Sequence, residues 1–256
     1  MSTDVRTIKS YDDYAKRWSS NIDEGRTISH ICLEKPAMYK KVPVLKGKKV
    51  LCIGCGSGEE CEFLKERGAD KVIGIDISEG LINIAKKKYP EIEFHVMDVE
   101  NMKFEKDSFD YVYSSLTMHY LSNWIVALKA IRKILKKRGI FLFSTHHPVR
   151  FGAQKDSKTD EYQFILGYSK NKKTKSCEIY GDYLNTRMVR SVWSNSLEVF
   201  YYHRPLSSII RDIIKAKFTI IDFHEPKATE LAKQKDIAFW KIHQKIPLFM
   251  IFELRK

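Results

Sequence analysis

The segment Val50-Leu-Cys-Ile-Gly-Cys-Gly-Ser-Gly58 constrains this chain more than any other: a short apolar run that breaks into three alternating glycines. A second apolar run ends in Asp76, and a third, from Ile92, ends in Asp98. Bounded apolar runs of this length, each followed by a helical pattern, read as buried parallel strands of an α/β sheet. A strand that stops at glycines lets a ligand approach backbone that side chains would otherwise cover. A carboxylate at the tip of the neighbouring strand is placed to accept from a ribose diol, and one a strand further out can face an adenine. The order therefore predicts a pocket for an adenosine-containing ligand at the carboxyl ends of parallel strands.

Two common nucleotide sites do not fit. The dinucleotide fingerprint needs a glycine where this chain has Glu59, and a carboxylate opening the next helix opposes a pyrophosphate at that helix N-terminus. No Gly-Lys-Ser/Thr follows the glycines, which removes the P-loop.

The pattern resembles the class I S-adenosylmethionine-dependent methyltransferases, whose glycine motif is G-x-G-x-G. The likeness runs from about residue 45 to 148. Phe109 to Ser115 resembles that family's fourth strand, Leu116 to Tyr120 the loop after it, and Gly139 to Ser144 its fifth strand. The resemblance implies a Rossmann-like sheet, mostly parallel with an antiparallel last strand, and S-adenosylmethionine as cofactor, leaving S-adenosylhomocysteine. It places Gly54, Cys55, Gly56 and Gly58 against the ligand through backbone. Asp76 and Ile77 are expected at the ribose, Asp98 and Val99 at the adenine, and Ser114 and Ser115 near the methionine part. The segment from Tyr11 to Trp18 resembles the aromatic N-terminal helix that covers the cofactor in small-molecule members, with Tyr14 and Trp18 toward the ligand, where ring faces favour a sulfonium. One departure stands out. Family members usually carry Asp or Glu two residues before the first glycine, and this chain has Cys52. Which group takes that acid's place is open at the level of sequence.

Gly68 is expected to end the first helix after the glycines, and Ser78 to cap the second. Lys129, Arg132, Lys133, Lys136 and Lys137 are expected on the solvated face of a helix whose buried face is Leu128, Ile131, Ile134 and Leu135. From about 150 to 203 the alternation of strands and helices breaks. This region is read as a cap inserted between the fifth strand and its following helix, above the strand ends, carrying Tyr162, Tyr183, Arg187, Trp193, Tyr201 and Tyr202. Residues 1–45 are then a helical lid, and 46–149 with 204–256 the core.

Methyl transfer needs alignment first and a base only where the acceptor carries a proton. The base candidates are His119, His147 and His203, with His146 also at a strand end. An ion pair of Arg204 with Glu225 is the structural alternative for the segment that rejoins the core.

The net charge of +13 can mark a nucleic-acid partner. Its spread, and the excess of lysine over arginine, favour a solvated basic surface and a small-molecule acceptor. No Asn/Asp-Pro-Pro-Tyr motif of the nucleic-acid base N-methylases is present. An RNA or protein methyltransferase, or a noncatalytic adenosyl-ligand-binding protein, remains the alternative. Cys52 and Cys55 match C-x-x-C formally, but packing explains them better than a metal or redox role, so no metal is expected. No apolar run approaches the roughly 18 residues of a membrane span, and the N-terminus lacks a signal-peptide core, so a cytoplasmic protein is expected, monomeric or a homodimer.

Overall fold

A computed structural model describes residues 1–151, 166–193 and 197–256. Two helical segments precede the sheet. The first is α1 (Val5–Asp23), N-capped by Asp4, whose carboxylate accepts from the Arg6 N–H at 2.9 Å. A π-helical turn over His30–Glu34 then runs into α2 (Lys35–Lys41).

The chain next alternates β1 (Lys49–Ile53), α3 (Glu59–Glu66), β2 (Lys71–Asp76), α4 (Glu79–Lys88), β3 (Glu93–Val96), β4 (Phe109–Ser114), α5 (Trp124–Ile134) and β5 (Leu135–His146). A short α6 (Pro148–Phe151) follows, then two hairpins: β6 (Gly167–Lys170) with β7 (Cys177–Tyr180), and β8 (Arg187–Trp193) with β9 (Leu197–His203). The core resumes with α7 (Leu206–Lys215), β10 (Thr219–His224), α8 (Glu230–Lys235), α9 (Ile237–His243) and β11 (Phe249–Arg255).

The main sheet has seven strands in the order β10-β11-β5-β4-β1-β2-β3. Strands β3, β2, β1, β4 and β5 pair in parallel, and β11 runs antiparallel between β5 and β10. Both faces are covered, as parallel strands without an alternating polar pattern require. One face packs Ile53, Ile75, Val112, Phe141, Phe143 and Phe252 against α5 and α7, and the other packs Val50, Cys52, Tyr113, Leu142 and Ile251 against α2, α3 and α4. Cys52, Cys55 and Cys61 are buried thiols within that second cluster.

Gly68 does follow α3 with a positive φ of 92°, and Ser78 accepts from the Leu81 N–H at 3.2 Å to cap α4. The basic helix ends earlier than its pattern suggests. Lys136 and Lys137 lie in β5, because Leu135 already pairs with Phe109, and the four residues after Leu135 form a bulge, with Arg138 at φ 64°, before pairing resumes at Ile140. The apolar spacing that carries Leu135 as a helical residue instead buries it in the strand.

The sheet dictates where a ligand can sit. The reversal of direction between β1→β2→β3 and β4→β5 makes a crevice at the carboxyl ends of β1 and β4. Helix α1 lies across it. The Asp12 carboxylate accepts from Ser78 Oγ at 2.6 Å and the Gly80 N–H at 2.9 Å, so α1 is tied to the N-terminus of α4, where a negative charge is favourable. Thr7 Oγ1 exchanges bonds with the backbone of Phe200 on β9, which ties the other side of α1 to the second hairpin.

Candidate functional site

A cavity of about 380 Å³ opens at the strand ends, bounded by the glycine loop, the tips of β2 and β3, the loop after β4, the end of β5, and α1. It spans from Asp76 on β2 to His146 on β5, three strand spacings, or about 14 Å.

The glycine loop is built by its own hydrogen bonds. Gly54 and Cys55 N–H groups donate to the Ile75 carbonyl at 2.8 and 3.0 Å, and Gly56 N–H donates to Asp76 Oδ2 at 2.9 Å. Gly54 has φ 68°, and a Cβ there would lie 1.9 Å from Thr117 Oγ1. The loop after β4 therefore closes over bare backbone. Leu116, at φ 46°, makes that closure sharp, and its N–H donates to Ser144 Oγ at 2.9 Å. At Gly56 an added Cβ would meet nothing nearer than the Trp18 indole nitrogen at 3.7 Å, so the backbone there is open to the cavity.

Asp76 sits at the rim of this loop. Its Oδ1 accepts from Ser78 N–H at 2.9 Å and its Oδ2 from Gly56, leaving lone pairs on both oxygens. Burial raises its pKa, against those backbone donors. Asp98 accepts from Ser2 N–H at 2.8 Å and Glu100 N–H at 2.9 Å, which draws the first residues of the chain over the β3 end.

Of the residues expected from sequence, the structure brings Trp18, Gly54, Gly56, Asp76, Ile77, Asp98, Val99, Ser115 and His119 to the cavity wall. Cys55, Gly58, Ser114 and Tyr14 lie behind it. Cys55, in the glycine loop, and Ser114, at the end of β4, are fully buried, and Gly58 packs against Tyr89 and Phe94. Tyr14 faces the β9 side of α1, among Tyr120, Leu197, Val199 and Tyr201, while Trp18, one turn on, faces the ligand side.

Two of the three expected bases lie outside the cavity wall. His147 Nε2 lies 2.8 Å from Glu225 Oε1, on the side of β5 away from the cavity. His203 Nε2 bonds the Tyr183 carbonyl at 3.0 Å and also lines no part of the cavity. The alternative Arg204–Glu225 pair does not form. Glu225 is taken by His147, and Arg204 donates to the carbonyls of Leu121 and Ser122 at 2.6 and 2.8 Å.

His146 takes the place of His147. Its ring stacks on His119 at 3.4 Å between centroids and on Phe151 at 3.4 Å, with Tyr201 edge-on at 4.9 Å. Both nitrogens of His119 and Nδ1 of His146 are buried without a hydrogen-bond partner. Burial holds both imidazoles well below their usual pKa, so both are neutral near pH 7. Tyr11, Tyr120, Trp193 and Phe249 complete an aromatic end of the cavity over β4, β5 and β11.

Within the expected cap, Trp193 reaches the cavity and Tyr201 packs behind His146. Tyr183 bonds Leu206 through its hydroxyl, Tyr202 faces Arg204, and the β6–β7 hairpin is exposed and touches none of the cavity wall. Gly152 and Tyr162 lie outside the described residues.

Sequence reasoning missed an acidic group beside the glycine loop. Glu34 is fully buried and accepts from Ser115 Oγ at 2.9 Å and Ser144 Oγ at 2.5 Å. Glu59 and Glu60 line the cavity, and Lys35 Nζ lies 3.0 and 3.6 Å from them. The donor set fits S-adenosylmethionine: a carboxylate for a diol at β2, open glycine backbone at β1, rings for a purine and a sulfonium, and negative charge for an ammonium.

Comparison with known proteins agrees with this geometry. Residues 51–143 match the family model of a methyltransferase domain. An uncharacterized protein of Haemophilus influenzae is 29% identical over 208 residues, covering 76% of each chain. A ubiquinone biosynthesis O-methyltransferase of Acinetobacter baylyi is 30% identical over 152 residues, which is 57% of this chain and 63% of that protein. The crystal structure of an S-adenosylmethionine-dependent methyltransferase of Mesorhizobium loti superposes with a TM-score of 0.70 at 25% identity, covering 86% of this chain and 96% of that one.

Proposed function

Because the chain belongs to the class I S-adenosylmethionine-dependent methyltransferases, we propose that its acceptor is a small molecule with a hydroxyl nucleophile, bound over the ends of β4 and β5. The observation that carries this is the aromatic end of the cavity, where buried His119 has two ring nitrogens and no protein partner for either. An unpaired buried polar group is costly, and a bound hydroxyl would satisfy it.

Bound S-adenosylmethionine supplies a methyl group activated by its sulfonium. The chain's own residues have three tasks. Asp76, Gly54 and Gly56 fix the ligand's position along the sheet. Trp18, Tyr11, Trp193 and Phe151 exclude water from the acceptor end, which strengthens every polar contact there. His119, neutral, accepts the hydroxyl proton at a ring nitrogen as the oxygen becomes a nucleophile. An imidazole held so firmly neutral is a weak base. It suits an acidic hydroxyl such as a phenol or enol better than an aliphatic alcohol. The O-methyltransferase relative is in keeping with this choice.

The cavity wall is apolar and aromatic at this end, which fits a flat organic ring better than a polynucleotide or a peptide backbone. The test is transfer of a labelled methyl from S-adenosylmethionine to a panel of phenols, enols, amines, total RNA and protein. Methylation of the hydroxyl compounds supports the proposal. Transfer to RNA or protein alone at physiological salt overturns it.

A further inference from the structure

We propose that Glu60, with Glu59, anchors the ammonium group of S-adenosylmethionine, in place of the acid that family members carry at the position of Cys52. The proposal rests on this cavity being the cofactor site.

Besides its aromatic end, the cavity has two chemically distinct regions. The Asp76–Asp98 end, at β2 and β3, offers acceptors for a ribose and a wall for a purine. The other side of the glycine loop ends at Glu59 and Glu60, the first two residues of α3. A ligand laid with its adenosine toward β2 and its sulfonium toward β4 brings its amino-acid end to these two side chains. Strand β1 contributes no charge there, because Cys52 is a buried thiol facing Cys61. Glu60 lies close enough for its charge to bear on that thiol, so the carboxylate has moved from the strand to the start of the helix that follows.

The charge balance around Glu60 is unfinished. Lys35, from the N-terminal helices, faces Glu59, Glu60 and the neighbouring Glu34. Its short contact is to Glu59, at 3.0 Å; Glu59 also accepts from Ser57 Oγ at 3.1 Å. Glu60 is 7% exposed, lines the cavity, and has the longer contact at 3.6 Å with no side-chain hydrogen bond among the described residues. Glu34 Oε2 is buried without a partner. The remaining groups facing Glu60 are Tyr39 on α2, Cys52 on β1, Cys55 in the loop and Tyr113 on β4, and none carries positive charge. One lysine against three carboxylates, two of them buried and Glu59 half-buried, leaves a place for a second cation. Burial, with Glu59 adding to it, pushes Glu60 up to about 8, and a cation seated beside it favours its ionised form.

The test is calorimetric titration of the full chain with S-adenosylhomocysteine, its deaminated analogue, and 5′-methylthioadenosine, which lacks the amino-acid part. In the wild type, removing the amino group from the ligand should weaken binding at least tenfold, and binding of S-adenosylhomocysteine at pH 7 should release a proton. Glu60→Gln should lose at least tenfold in S-adenosylhomocysteine affinity and the proton release, while methylthioadenosine binding stays within twofold. Equal losses for both ligands, or no loss, overturn the assignment. Should Glu60→Gln fail to fold, the wild-type comparison decides: equal affinity for S-adenosylhomocysteine and its deaminated analogue overturns the anchor. A wild type that binds neither adenosyl ligand overturns the cofactor site itself, and the anchor with it.

Discussion

The imidazoles of His119 and His146 lie face to face, 3.4 Å between ring centroids and 11° between planes. Two protonated rings cannot share that stack, and burial holds both imidazoles well below their usual pKa. His30, at the same cavity, is pushed down by burial to about 3, with Lys35 adding to it.

Acid sensitivity follows from the sign of these shifts. The unfolded chain binds protons at histidine below about pH 6.5, and the folded chain does not. Stability is therefore fully present above pH 6.5 and falls as pH drops toward the folded values. Each buried histidine contributes up to about 1.4 kcal/mol per pH unit in that window. Urea midpoints at pH 7.5 and 5.5 should show this decline, and His30→Gln should flatten it. A midpoint unchanged between the two pH values would contradict the neutral assignment.

Asp76 is a ligand for two backbone groups before it meets any cofactor. Asp76→Ala strips the acceptor from the Gly56 and Ser78 N–H groups, and so loosens the glycine loop as well as removing contacts to a diol. The expected loss in S-adenosylhomocysteine binding is at least about 1.5–3 kcal/mol, the worth of one charged hydrogen bond. Calorimetry giving equal affinity for the wild type and this variant would remove Asp76 from the site.

Gly54→Ala tests the closure of the β4 loop. The added methyl would fall 1.9 Å from Thr117 Oγ1, and the positive φ costs a further ~1–2 kcal/mol. Adenosyl-ligand binding should be lost while far-ultraviolet dichroism persists. Thr117→Gly in the same chain should restore part of it, because the three nearest atoms are all of that side chain.

The parts of the site that were legible in sequence are those fixed by one strand and its own tip. Gly54, Gly56, Asp76 and Asp98 fall where each apolar run stops, and that depends on local pattern alone. The choice between His146 and His147 does not. Consecutive residues at a strand end point to opposite sides, and only the pairing of His146 with Phe249 decides which one faces the cavity. Glu34 was invisible for another reason: its partners Ser115 and Ser144 are 81 and 110 residues away, and a π-helical turn, which leaves no periodic signal, aims it inward. Leu135 shows the same limit from the other side, since an apolar residue at helical spacing was claimed by the next strand.

The histidine assignments make the sharpest contrast for activity. His119 lines the acceptor end with both ring nitrogens unpaired, whereas His147 is spent on Glu225 and His203 on the Tyr183 carbonyl. His119→Gln should therefore lower kcat for a hydroxyl acceptor by roughly a hundredfold or more, the usual range for loss of a general base, and leave adenosyl-ligand affinity within a few fold. His147→Gln and His203→Gln should keep kcat within a few fold, with their effect confined to thermal midpoint. An acceptor of lower hydroxyl pKa, being ionised already, should lose less in His119→Gln than a less acidic one. A rate loss independent of acceptor acidity would mean that His119 positions the acceptor by contact alone, and a large loss in His147→Gln would return the base to the far side of β5.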